Sequence, residues 1–187
     1  MSFADLVRTW PIIPAVRKPE DLDASIASPS QIVYLLCGTI LTIEDLVGAL
    51  HNAGKIPIVN LDLQVGLAKD ATAVAFLERC GAAGIISTHP ETLRSARSRN
   101  MMAVQRSFIL DSQALTNSLR ALNRFMPDAV ELLPAPAASR VVPAFANAHP
   151  NLTLIAGGLI TSLHEIDQLI NDGVHAVSVS LPTLWVA

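Results

Sequence analysis

The 187-residue chain is poor in most of what nucleic-acid-binding, secreted or membrane proteins display. It has two cysteines, one tyrosine and two tryptophans, aromatic residues make up 4% and charged residues 16%. Thirteen Lys and Arg stand against sixteen Asp and Glu, for a formal net charge of −3 and a pI near 5.9. The basic excess that usually marks a nucleic-acid binder is missing, so only local basic patches could meet RNA. Cys37 and Cys80 lie in apolar surroundings without metal-ligand spacing and are expected to be buried reduced thiols. No apolar run approaches the ~20 residues of a membrane span. The N-terminal MSFADLVRTW lacks the long apolar stretch of a signal peptide. A cytoplasmic protein is expected.

What the chain does have is small and aliphatic bulk, 51% hydrophobic in all, arranged in eight short runs. These are PIIPAV (11–16), IVYLLC (32–37), IPIVNL (56–61), GIIS (84–87), MMAVQ (101–105), AVELL (129–133), LTLIA (152–156) and HAVSV (175–179). Rich in β-branched residues and too short for buried helices, they read as strands. Helical patterns lie between them. TIEDLVGALHNAGK starts at Thr42 and stops at Gly54. STHPETLRSARS offers Thr88 as cap and Pro90 in the first turn. TSLHEIDQLINDG carries Ser162 and Glu165 as a capping box and Gly173 as its stop. PAPAASRVVPAFANAHP is the weakest helix, because Pro143 should break or kink it. Strands that alternate with helices imply a parallel sheet, and their continuous hydrophobicity implies burial on both faces. A doubly wound sheet and a (β/α)8 barrel both fit. Eight repeats favour one small TIM barrel with short helices spanning residues 1–187.

A barrel concentrates polar residues at the C-terminal ends of its strands. Here those ends carry Arg17, Asp62, Ser87, Gln105 and Arg106, Glu131, Gly157 and Gly158, and Ser178 and Ser180. Loops after the seventh and eighth strands commonly bind phosphate through backbone amides, which need bare backbone to be approached. Gly157-Gly158 after strand seven and Ser178–Ser180 after strand eight suit that use; a tight turn without ligand is the alternative. No strand contains a lysine placed for Schiff-base chemistry, and no His/Asp/Glu cluster has metal spacing. No catalytic residue, metal or cofactor is therefore assigned.

Several segments resemble the glycerol-3-phosphate-responsive antiterminators, regulators of bacterial glycerol-utilisation operons. They are PIIPAVR (11–17), DLQVGLAKD (62–70), GIISTH (84–89), AVQRSFILDS (103–112), AVELLP (129–134), AGGLI (156–160), AVSVS (176–180) and TLW near the end, in family order. The resemblance implies a (β/α)8 fold, glycerol 3-phosphate as effector, and antitermination on a leader mRNA. The chain departs from the family pattern at His89, Thr161 and Thr183, where basic residues are usual, and at Asn60, Ala135 and Leu181. Loss of three cations weighs more on RNA affinity than on a phosphate held by amides.

Under that resemblance, the amides around Gly157-Gly158 and Ser178–Ser180 hold the phosphate, and Arg17 or Arg106 adds charge. Asp62, Glu131 and Gln105 meet the glycerol hydroxyls, with Ser87 beside them. Arg94, Arg97 and Arg99 after strand four, and Arg120 and Arg124 after strand five, are the basic patches left for RNA. Two other readings stay open. One is an enzyme acting on a small phosphorylated substrate, with Asp62 and Glu131 as acid and base. The other is a ligand sensor that works through a protein partner. A homodimer is compatible with the chain but has no signature in it.

Overall fold

A computed structural model describes residues 3–185. All eight apolar runs form parallel strands: β1 (Ile12–Val16), β2 (Ile32–Leu35), β3 (Ile56–Asn60), β4 (Gly84–Ser87), β5 (Met102–Phe108), β6 (Ala129–Leu133), β7 (Thr153–Gly157) and β8 (Ala176–Val179). Each pairs with the next in the chain, and β8 pairs back with β1 to close the barrel. Side chains alternate across each strand. One set, including Ile13, Tyr34, Ile58, Ile86, Val104 and Ile155, fills the lumen as a single buried cluster. The alternate set, including Val16, Leu35, Val59, Val130 and Leu154, packs outward against the helices. The lumen is thus a second core rather than a pore.

Eight α-helices accompany the strands, but not in the simple alternation the sequence suggests. The first, α1 (Phe3–Thr9), precedes β1. Its Phe3, Leu6 and Val7, spaced i, i+3 and i+4, join the lumen cluster and cover the end where the strands begin. The remaining helices follow β1 to β7: α2 (Leu22–Ala27), α3 (Ile43–Asn52), α4 (Ala71–Arg79), α5 (Pro90–Ser98), α6 (Ser112–Leu122), α7 (Ala135–Ala148) and α8 (Leu163–Asn171). After β8 there is only a 3-10 turn, Pro182–Leu184, tied down by the indole of Trp185 donating to the Val179 carbonyl at 2.7 Å. Among the described residues no helix is long and apolar enough to cross a membrane.

The helix ends differ from the sequence expectations in instructive ways. Ser162 and Glu165 do form a reciprocal capping box on α8. Thr42 occupies the N-cap of α3, but its hydroxyl accepts the Thr39 amide instead of a helix amide. Thr88 is not the cap of α5; that position is His89, because the Thr88 hydroxyl is committed to Asp62. Cys37 and Cys80 are free but only half-buried, and burial pushes both thiols up.

The expected break at Pro143 does not occur. Helix α7 runs through it for 14 residues, the longest in the fold. Ala138, Val141, Val142 and Phe145 make a buried stripe that holds both halves to the barrel, while Pro143 itself is exposed. Tertiary packing therefore carries the helix across a missing amide. Pro143→Ala restores that donor without loss of packing. It should raise the unfolding free energy by about 1–3 kcal/mol, read as a higher urea midpoint at unchanged slope.

Candidate functional site

The barrel mouth is organised around one buried carboxylate. Register pairs Arg106 of β5 with Glu131 of β6, and Gly157 of β7 with Ser178 of β8. Arg106 Nε donates to Glu131 Oε2 at 2.7 Å, and Ser178 Oγ donates to Glu131 Oε1 at 2.6 Å. The Glu131 side chain is 1% exposed and that of Arg106 10%. Gly157 serves this network. A Cβ there would collide with Ser178 Oγ and stand 3.0 Å from Glu131 Oε1. The first glycine of the pair is thus required by buried packing, while the second has a different reason. Gly158 is exposed, with φ +77°, and Leu159 after it also has positive φ, +63°.

Above this network opens a cavity of about 450 Å³. Arg17, Arg106, Glu131, Gly158, Ser178 and Ser180 line it, together with Leu36, Leu63, Phe108 and Leu159. The Arg106 Nε–Glu131 bond fixes the guanidinium and leaves its two terminal nitrogens as further donors. Arg17 has no ion pair among the described residues and is exposed. The floor can therefore grip an anion with two guanidinium groups. One layer down in the lumen, the Tyr34 hydroxyl is fully buried and unpaired. The carboxamide of Asn60, on the neighbouring strand β3, is likewise buried and unpaired. Burial pushes the Tyr34 phenol well up, with the Glu131 charge adding to that and Arg106 opposing it. Neither residue is among the sequence candidates: Tyr34 sits in a run read only as apolar, and Asn60 stands out there only as a departure from the family pattern.

Three sequence candidates lie elsewhere. Gln105 faces outward: its amide donates to Ser107, which pairs with Ser118 of α6, so it is part of the strand–helix interface. Asp62 sits in a 3-10 turn, Leu61–Leu63, and is fully engaged. It accepts from Ser87 Oγ at 2.6 Å, Thr88 N at 2.7 Å and Thr88 Oγ1 at 2.9 Å, and meets His89 Nδ1 at 3.3 Å. Ser87 is buried in that cluster. Asp62, Ser87, Gln105 and Gly157 are absent from the cavity wall. Asp62 and Glu131 consequently do not face one substrate as an acid–base pair. Among the described residues no three His, Cys, Asp or Glu side chains gather to hold a metal.

The arginines considered for RNA lie on the outer helices. Arg94 pairs with Glu91 and stacks over the Phe125 ring at 5.9 Å, Arg97 pairs with Asp128, and Arg99 pairs with Glu78 at 2.8 Å. Arg120 and Arg124, at the end of α6, are exposed. Asp128 directly precedes β6, so Arg97 belongs to the end of the barrel opposite the mouth. Around the mouth, several large apolar side chains stand exposed among polar ones. Ile40 and Leu41 after β2, Leu63 and Val65 after β3, Phe108 at the end of β5 and Leu110 after it are all exposed. So are Leu159 and Leu163 after β7 and Leu181 after β8.

Comparison with known proteins adds the lineage. The chain matches the family model described as glycerol-3-phosphate responsive antiterminator over residues 12–185. It is 32% identical over 186 residues to uncharacterized protein YgcP of Escherichia coli (strain K12), covering 99% of this chain and 96% of that protein. Its fold is similar to the crystal structure of a glycerol uptake operon antiterminator-related protein from Thermotoga maritima MSB8. The TM-score is 0.84 at 30% identity, covering 93% of this chain and 96% of the other. It is also similar to the glycerol uptake operon antiterminator regulatory protein of Listeria monocytogenes str. 4b F2365, with a TM-score of 0.88 at 30% identity, covering 94% and 95%.

Two measurements probe this geometry. Gly157→Ala forces a methyl into the Ser178–Glu131 contact and should cost about 2–3 kcal/mol of stability, read by chemical denaturation. Asp62 is a pH-sensitive group at this end of the barrel. Burial pushes its carboxyl up, but the bonds from Ser87, Thr88 and His89 outweigh that and hold it below the usual carboxylate range. A depressed folded-state pKa contributes stability above the unfolded pKa near ~4, lost as pH falls through the folded value. Asp62→Asn should therefore destabilise at pH 7, and the gap from wild type should narrow below about pH 4, as followed by thermal melts across that range.

Proposed function

Because the chain belongs to the glycerol-3-phosphate responsive antiterminator family, we propose that its mouth cavity takes glycerol 3-phosphate and that the loaded chain acts on a leader mRNA of a glycerol-utilisation operon. The observation that carries the ligand half is the pair of guanidinium groups, Arg17 and Arg106, opening on one cavity beside Gly158 and Ser180. A phosphate dianion there meets two cations, one of them held in place by Glu131. The bare backbone at Gly158 lets amide donors approach it. The remaining lone pairs of Glu131 and the Ser180 hydroxyl are the groups within the cavity that would meet the glycerol hydroxyls. Asp62 and Gln105 take no part in this reading, since Asp62 is spent on Ser87 and Thr88 and Gln105 faces outward toward Ser107.

The RNA half rests on Arg120 and Arg124, with Arg94, Arg97 and Arg99 less available because each already has a carboxylate partner. That pairing is the observation favouring a second reading, in which the sensor acts through a protein partner.

A thermal-shift titration tests the ligand. Millimolar glycerol 3-phosphate should raise the Tm in a concentration-dependent way, whereas glycerol alone should not. Arg17→Ala should weaken the half-saturating concentration about tenfold, as expected for loss of one charge-assisted contact. No shift at millimolar ligand overturns the assignment. A gel shift at low salt with the leader RNA of a neighbouring glycerol operon separates the two readings. Retention that needs ligand supports antitermination on RNA, and no retention with or without ligand supports the protein partner.

A further inference from the structure

Three buried polar atoms in the lumen have no hydrogen-bond partner among the described residues: the Tyr34 hydroxyl and both ends of the Asn60 carboxamide. Both side chains are 0% exposed. Since the nitrogen and the oxygen of Asn60 are equally unpaired, it does not matter which way the amide is turned. A polar group left buried and unpaired is destabilising, whereas an apolar side chain of the same shape carries no such cost. Retention of two such groups side by side calls for a partner from outside the fold.

The pairing register shows where they stand. In an eight-stranded barrel, alternate strands share a layer. Even-numbered strands put Tyr34, Glu131 and Ser178 in one layer, and odd-numbered strands put Ala15, Asn60, Arg106 and Gly157 in the next one toward the mouth. β2 lies opposite β6, so Tyr34 faces Glu131 across the lumen. Besides burial, which acts most strongly, the charges of Glu131 and Arg106 both reach its phenol. In the upper layer Ala15 and Gly157 offer no more than a methyl group, and Ala15 is itself part of the cavity wall. The unpaired groups thus lie directly beneath the cavity, beside the guanidinium offered to the phosphate.

We infer that Tyr34 and Asn60 form an inner subsite that selects a free hydroxyl on the uncharged end of the ligand, an inference that rests on the mouth being a phosphate-ester site. The chemistry of the groups chooses the hydroxyl. An anion at this depth faces the Glu131 carboxylate and has no proton to give the Asn60 oxygen. An ammonium faces Arg106 and has no lone pair for the Asn60 nitrogen. A hydroxyl donates and accepts, as the carboxamide and the phenol both do. The depth also fits. Arg17 stands two residues beyond Ala15 on the same chain segment, about 5 Å along the axis at the usual rise and tilt of barrel strands, a distance that a three-carbon chain bridges. Both groups are closed off from the cavity in this structure, so Asn60 turns about its side-chain bonds to meet a ligand that enters past Ala15.

Calorimetric titration of the intact chain tests the subsite with two probes. They are glycerol 3-phosphate and n-propyl phosphate, which keeps the phosphate and the chain length but has no hydroxyl. Wild type should bind the first more tightly by about tenfold or more. Tyr34→Phe and Asn60→Leu should each cut that ratio by about threefold or more. Asn60→Ala replaces Asn60→Leu should the latter not fold. Tyr34→Phe removes only the hydroxyl, so without ligand it should melt no lower than wild type. A wild type that binds both probes equally overturns the subsite, as do variants that keep the wild-type ratio. A Tyr34→Phe chain that melts below wild type shows the hydroxyl in structural use and overturns it equally. In each of these cases the phosphate site stands. Failure of both probes to bind wild type overturns the phosphate-ester reading itself, and the subsite with it.

Discussion

The mouth of this barrel depends on the Glu131 carboxylate. Taking a carboxylate out of water is costly unless its oxygens are met by close donors. Here one oxygen receives Arg106 and the other Ser178. The bonds join β5, β6 and β8 at one level, and β7 contributes by having no side chain at Gly157 to stand in the way. The arrangement has a chemical product. A guanidinium anchored through Nε cannot swing into solvent, so its remaining donors stay aimed at the cavity. The same salt bridge that would be poor evidence for stability is good evidence for preorganisation, since the guanidinium is oriented with its remaining donors toward the cavity.

Two positions at which the family resemblance leads one to expect a basic residue are turned here to local use. His89 is drawn into the Asp62 cluster. Thr161 gives both its amide and its hydroxyl to Glu165, strengthening the start of α8. Each is a short-range hydrogen bond where the family resemblance leads one to expect a long-range charge. The mouth is left with two arginines in the cavity and exposed leucines around it, while exposed cations such as Arg120 and Arg124 sit toward the outer helix layer. Ligand and nucleic acid would thus address different parts of the molecule, and communication between them would have to pass through a packed barrel or through a change in how chains associate.

Much of this fold was legible in the sequence because buried parallel strands are written as unbroken apolar runs. That same property hid their phase. An alternating strand announces which residues face inward, whereas MAVQRSF, buried on both sides, does not. Arg106 and Gln105 were therefore equal candidates until the lumen cluster showed that Val104 and Arg106 share one face and Gln105 the other. The N-terminal plug was obscured because Phe3, Leu6 and Val7 span little more than one turn. Pro143 misled for a third reason, since a local rule about amides was outweighed by the buried stripe on either side of it. Tyr34 and Asn60 show the limit of reading apolar runs as apolar: a polar atom can lie inside one and become significant only when its neighbours are known.

Leu159 bears on how such a surface is kept. A leucine in left-handed backbone is less comfortable than a glycine by roughly 1 kcal/mol, and this one is also mostly bare to water. Selection for stability alone would readily replace it, since the neighbouring glycine already shows what the turn prefers. A residue that is unfavourable in both backbone and solvation marks a place where folding stability has been exchanged for surface character. Directed selection of this chain for thermal robustness should accordingly find position 159 early, and should erode the behaviour of the mouth as it does so.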